Sequence, residues 1–232
     1  MTELSIFGVE GIGEIRQGDD LASIIAAHVE LQDGDVVVVT QKIVSKAEGM
    51  IEAVDADDPL SHKAIVERES VRVLRRRGDL VISETKHGFV CANAGVDLSN
   101  VERGYAALLP EDSDRSARRI RDGIKAKAGV DVAVIVSDTF GRTWRRGLTD
   151  VAIGCAGIGA ILDLRGSTDT YGREMQVTEV AVVDELASAA ELVMGKATGT
   201  PVAVVRGVPR EWLRRGEVRG ELVRRPEEDL FR

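Results

Sequence analysis

Aromatic residues are scarce in this chain: Phe, Trp and Tyr together make up 3% of it. A core built without them must be aliphatic, so Val, Leu, Ile and Ala carry the burial. Cysteine is nearly absent too, with only Cys91 and Cys155. Two thiols in apolar or small-residue settings exclude a disulfide framework and point to the reducing cytoplasm. There is no excess of basic charge, the net value being -8. That excludes a general nucleic-acid-binding surface, which needs a positive face against phosphate. No basic N-terminal region leads into a long apolar run, so no signal peptide is expected. No stretch approaches the ~20 apolar residues that cross a bilayer, so no membrane partner is expected. Internal repeats and low-complexity tracts are also missing.

What is present is an ordinary globular composition. The 232 residues are 44% hydrophobic and 30% charged, enough for one large domain or two small ones around a real core. Short β-branched runs at 36–39, 132–136 and 202–205 predict buried strands. Helical spacing predicts helices from Asp19 or Asp20 to about His28, over 61–77, over 111–128 with Asp112 or Ser113 as cap, and over 178–194. In the second of these, Arg75, Arg76 and Arg77 complement the helix dipole. Two further strands are expected at 79–83 and 88–91, joined by a turn at Lys86, His87 and Gly88. The small residues of 152–160 suit close backbone packing, against a partner chain for instance, and the charged tail from Pro209 is expected at the periphery. The order of elements gives a mixed α/β (α+β) protein outside the usual nucleotide-binding folds.

Chemistry-bearing residues follow the strands. After 132–136 come Ser137, Asp138, Thr139, Phe140, Gly141, Arg142, Thr143, Trp144, Arg145, Arg146 and Gly147, expected as a loop. Carboxylate beside hydroxyl suits a hard cation such as Mg²⁺ or Mn²⁺. Arginines suit phosphate or carboxylate groups, and Arg142 and Arg145 are candidates for an anionic substrate; the alternative is a polar turn with surface ion pairs. After 36–39 comes Lys46, a point charge for phosphate or else a solvated lysine. Gly8, Gly11 and Gly13 permit close approach to a ligand or form a plain turn. No GK[ST] follows them, which excludes a Walker A loop. Asp97 is a candidate to pair with Asp138 across a metal, and Asn100 to hold a base or phosphate.

Taken in order, these stretches resemble a family. Gly11-Ile12-Gly13-Glu14, Val39-Thr40-Gln41-Lys42-Ile43-Val44-Ser45-Lys46-Ala47-Glu48-Gly49, Asn93-Ala94-Gly95-Val96-Asp97-Leu98-Ser99-Asn100 and Ser137-Asp138-Thr139-Phe140-Gly141-Arg142-Thr143-Trp144-Arg145 are similar to segments of the coenzyme F420-0:L-glutamate ligases (F420:γ-glutamyl ligases). Val204-Val205-Arg206-Gly207 adds a fifth segment, and the likeness runs from about residue 5 to 207. The resemblance implies a GTP-dependent ligase that adds L-glutamate to coenzyme F420-0, and γ-linked glutamates to F420-1, through an acyl phosphate. It implies Asp97, Asp138 and Thr139 as ligands of Mg²⁺ or Mn²⁺, two ions in all, with K⁺ as an additional ion. Asp97, Asp138 and Lys46 would be the catalytic groups. Ile12, Gly13, Glu14, Ile15, Gln41, Lys46 and Asn100 would contact GTP, as would the stretch Met194, Gly195, Lys196, Ala197, Thr198, Gly199, Thr200 and Pro201. Two positions depart from the family pattern. Gln41 stands where some members have serine, and Lys196 where some place a metal-contacting glutamine, so Lys196 would meet phosphate instead. The resemblance further implies an intertwined homodimer and one ligase domain over 1–232, with room for two subdomains. It would lack the nitroreductase-like domain of some actinobacterial members. A metal-dependent phosphohydrolase and a non-catalytic GTP-binding module are the alternatives that the same residues leave open.

Overall fold

Valine runs set the centre of the molecule. The computed structural model describes residues 3–230. In chain order it contains β1 (Ser5–Gly8), α1 (Leu21–His28), β2 (Val36–Thr40), α2 (Gln41–Glu48), β3 (Ile51–Ala53), α3 (Lys63–Glu69), β4 (Ser70–Arg77), β5 (Leu80–Thr85) and β6 (Val90–Ala92). Then follow β7 (Tyr105–Ala107), α4 (Ser113–Ala128), β8 (Ala133–Gly141), β9 (Leu148–Ala156), β10 (Leu162–Asp163), β11 (Glu179–Val180), α5 (Val182–Met194), β12 (Val202–Arg206) and α6 (Val218–Glu221).

Five strands form the main sheet in the order β1-β12-β2-β8-β9. Only β2 and β8 are parallel; the other three pairings are antiparallel. All four valines of β2 are buried because both faces of the sheet are covered. Val37 and Val39 pack with Leu21 and Ile25 of α1 and Ile120 and Ile124 of α4. Val36 and Val38 point the other way, against Val183, Leu186 and Ala190 of α5. The period-two alternation of a strand thus splits one valine run between two helical layers. A smaller region holds β3 paired with β7, the meander β4-β5-β6, and α3, around Ile65, Val66, Val81 and Leu108.

Helices α1 and α4 begin where their caps predict. Asp20 accepts from Ser23 N at 3.2 Å and Asp112 accepts from Arg115 N at 2.8 Å. The predicted helix over 61–77 is half correct. It ends at Glu69, and residues 70–77 leave as β4, antiparallel to β5. Val71 and Val73 favour extended backbone, and the turn at Gly78 and Asp79 supplies a pairing strand. Arg75, Arg76 and Arg77 are therefore exposed strand residues, not the end of a helix. The expected helix over 178–194 starts later, at Val182, after the short strand β11.

One stretch expected as a loop is ordered. Residues 137–141 extend β8, which pairs with β9 as far as Gly141 opposite Leu148. Small residues in β9 serve contact within the chain. A Cβ on Gly154 would lie 2.3 Å from the Ser113 carbonyl carbon at the start of α4. The charged tail is not peripheral either. Val218 is fully buried, and Trp212, Leu213, Leu222 and Val223 pack on the α5 side of the sheet. Buried Asp114 ties the tail down, accepting from the backbone N–H groups of Cys155, Val218 and Arg219 at 2.8, 2.8 and 3.1 Å. No helix among the described residues is long and apolar enough to cross a membrane.

Candidate active site

The pairing of parallel neighbours β2 and β8 ends with Thr40 opposite Ser137. Each strand therefore delivers its next residues to the same edge of the sheet, where ligands of open α/β sheets commonly bind. From β2 the chain turns directly into α2, presenting Lys42 and, one turn on, Lys46 on the same helical face. From β8 it presents Asp138 and Thr139, and the hairpin register sets Asp150 of β9 opposite Thr139.

Asp97 reaches this edge from the smaller region. Asn93, Ala94 and Gly95 all have left-handed backbone, with φ of 49°, 53° and 74°. Left-handed geometry is costly for the first two residues and natural for the glycine, where a Cβ would also strike Leu109 at 2.6 Å. Asn93 Oδ1 helps hold the turn by accepting from Lys63 Nζ and Val81 N, each at 3.2 Å. Beyond the turn, Asp97 exchanges backbone hydrogen bonds with Ala107, which fixes its place beside β7.

The charges then interlock. Lys42 Nζ donates to Asp97 Oδ2 at 2.7 Å and to Ser99 Oγ at 2.8 Å. Burial works against the Asp97 charge, but Lys42 and Ser99 outweigh it and hold the carboxyl below its usual range. Asp150, 3% exposed, accepts from Thr139 Oγ1 at 2.7 Å, Ser137 Oγ at 3.2 Å and Lys196 Nζ at 2.6 Å. Asp138, close enough to feel the charges of Asp97, Asp150 and Lys42, has no ammonium at hydrogen-bonding distance among the described residues. Burial pushes its carboxyl up to about 7; the Thr139 N–H opposes this, and the negative Asp97 and Asp150 add to it. Burial also pushes the Cys91 thiol up to about 12, with Asp138 contributing, which keeps that sulfur neutral and removes it as a nucleophile.

Other expected site residues gather around this core. Lys46 Nζ meets Glu14 Oε1 at 2.5 Å, which joins α2 to the 11–15 segment. Asn100 Nδ2 donates to the Lys196 carbonyl at 3.4 Å, which joins the Asp97 segment to the turn after α5. That turn, with Gly195, Ala197, Thr198 and Gly199 exposed, leads through Thr200 and Pro201 into β12. Some expected contacts face inward. The side chains of Ile12, Ile15 and Met194 are buried in the core, and open space surrounds Gly13. Gln41 is buried as well, its Nε2 donating to Ser45 Oγ at 2.6 Å and the Leu108 carbonyl at 2.8 Å. Arg142 and Arg145 lie exposed at the β8–β9 hairpin tip, where Arg142 donates to the Arg146 carbonyl at 2.9 Å. Three strand steps, about 10 Å, separate Arg142 from Thr139 along β8.

Lys42 and Asp150 were missed in the sequence. Lys42 had a signal, four residues before Lys46 in a stretch that becomes helix. Asp150 had none until the 137–156 stretch was known to be a hairpin.

Among the described residues no three His, Cys, Asp or Glu side chains close on one point in the way a metal cage would. The residue types nevertheless suit a hard cation: the carboxylate of Asp97 acts on that of Asp138, and Thr139, next along β8, carries a hydroxyl that donates to Asp150. Three anions near one another and only two ammonium groups leave Asp138 uncompensated, and a divalent ion would supply the missing charge.

Residues 11–207 match the F420-0:Gamma-glutamyl ligase family. The coenzyme F420:L-glutamate ligase of Methanopyrus kandleri is 44% identical over 236 residues, 94% of each chain. That of Methanothermobacter thermautotrophicus is 44% identical over 250 residues, 99% of each chain. That of Haloarcula marismortui is 42% identical over 254 residues, 99% of this chain and 96% of the relative.

Proposed function

Because the chain belongs to the F420-0:gamma-glutamyl ligase family, we propose that it joins L-glutamate to coenzyme F420-0, and γ-linked glutamate to F420-1, consuming GTP. The observation that supports this reading is the Lys42–Asp97 pair close to Asp138 at one sheet edge, with Lys46 one turn on along α2. A carboxylate is a poor electrophile and must be activated before an amine can attack it. In the proposed reaction a carboxylate oxygen of F420-0 attacks the γ-phosphorus of GTP, and GDP leaves. The glutamate amine then attacks the carbonyl carbon of the acyl phosphate; inorganic phosphate leaves and the nitrogen gives up a proton.

Each partner in the first step is an anion, so positive charge must be in place beforehand. Asp97, Asp138 and Thr139 would hold Mg²⁺ or Mn²⁺, which supplies neutralisation of the phosphates when bound. Lys46 contributes a mobile ammonium that can leave Glu14 for phosphate, since Glu14 is exposed and the pair is weakly held in solvent. Gly13 gives a triphosphate an approach that no side chain obstructs. Lys42 keeps Asp97 ionised and oriented. A homodimer belongs to the same proposal, supported by the exposed Trp144 and Leu148 at the hairpin tip.

GDP release should require F420-0 and L-glutamate together and match the glutamate incorporated. Release of GDP that ignores both would mean a phosphohydrolase.

A further inference from the structure

Lys196 makes three polar contacts at the site from a half-exposed side chain. Its Nζ lies 2.5 Å from Thr139 Oγ1, 2.6 Å from Asp150 Oδ1 and 3.4 Å from Glu191 Oε1. Two carboxylate oxygens and a hydroxyl make an oxygen set of the kind a hard metal ion takes. The site thus has two cation positions. One is bounded by Asp150, Thr139 and Glu191, and the other lies toward Asp97. The first already holds the Lys196 ammonium; at the second, Lys42 pairs with Asp97 and leaves Asp138 without one.

We propose that Lys196 is a resident cation of this site, filling one of these two positions, so that each chain binds a single divalent ion. The inference rests on the reading that Asp97 and Asp138 seat a metal. Without Lys196, buried Asp150 would keep only the Ser137 and Thr139 hydroxyls as partners. Lys196 supplies the opposite charge from a side chain that is fixed at its other end. Its carbonyl is held by Asn100, and its segment is anchored by the Thr198 hydroxyl donating to the Met194 carbonyl. An ion entering beside Thr139 would have to displace an ammonium already bonded there, whereas Asp138 faces no such competitor.

The test is equilibrium dialysis of the full chain against Mn²⁺ with GDP present, together with electron paramagnetic resonance of the bound ions. Wild type should bind one Mn²⁺ per chain with no spin-coupled pair. Lys196→Gln removes the charge and keeps a ligating oxygen, and should bind two with a coupled signal. Lys196→Arg keeps the charge and should stay at one, which guards against reading a misfolded variant as an answer. Two coupled ions in wild type, or one ion in a folded Lys196→Gln, would overturn the assignment to Lys196. No Mn²⁺ in wild type would overturn the metal reading itself.

Discussion

Asp138→Asn should lower kcat/KM for glutamate ligation by about 10²–10³-fold or more, the scale for losing one preorganised group that stabilises transition-state charge. The substitution keeps the shape of the side chain. Its Oδ1 can still accept from the Thr139 N–H, which is the hydrogen bond that favours the charge at this position. What disappears is the negative charge that has no ammonium partner among the described residues and that a divalent ion would balance. Removing a crowded, buried anion does not weaken the fold, so the thermal midpoint should hold or rise. Steady-state kinetics beside a melting curve separates the two effects. A folded variant with undiminished ligation would remove Asp138 from the chemistry and favour a non-catalytic role for this edge.

The largest expected loss of stability comes from Asp114→Ala. One buried carboxylate accepts three backbone N–H groups there, from β9 and from the two residues that open α6. Alanine leaves all three without that acceptor. Each unsatisfied buried donor costs about 1–3 kcal/mol, so roughly 3 kcal/mol or more should be lost. That is a large share of the 5–15 kcal/mol typical of a whole domain. Urea denaturation should show the midpoint falling, and limited proteolysis should show faster cutting near 209–223. An unchanged midpoint would mean that the tail is held by Val218 and its apolar neighbours alone.

Legibility in the sequence followed the range of the interactions concerned. The valine strands and the caps at Asp20 and Asp112 are local, and they appear in the fold where β-branched runs and short polar side chains put them. Asp97 and Asp138 were legible as acids beside strand ends, but their mutual proximity depends on a left-handed turn at 93–95 and on a parallel register. Helical periodicity failed over 70–77 because pairing with β5 overrode it. The hairpin beyond Ser137 was hidden because glycine and arginine at its tip read as loop, and with it was hidden the register that sets Asp150 against Thr139. The tail misled through its charge: Arg214 and Glu221 pair at 2.8 Å and leave Val218 and Trp212 to the core.

Oxygen tracing tests the central claim most directly. F420-0 carrying ¹⁸O in its reacting carboxylate is incubated with the enzyme, GTP and L-glutamate, and the phosphate released is analysed by mass spectrometry. Activation as an acyl phosphate predicts one ¹⁸O in phosphate for each amide formed, because the bridging oxygen comes from the carboxylate and departs with phosphorus. Phosphate that takes its new oxygen from water instead, with the label left in F420-0, would contradict it.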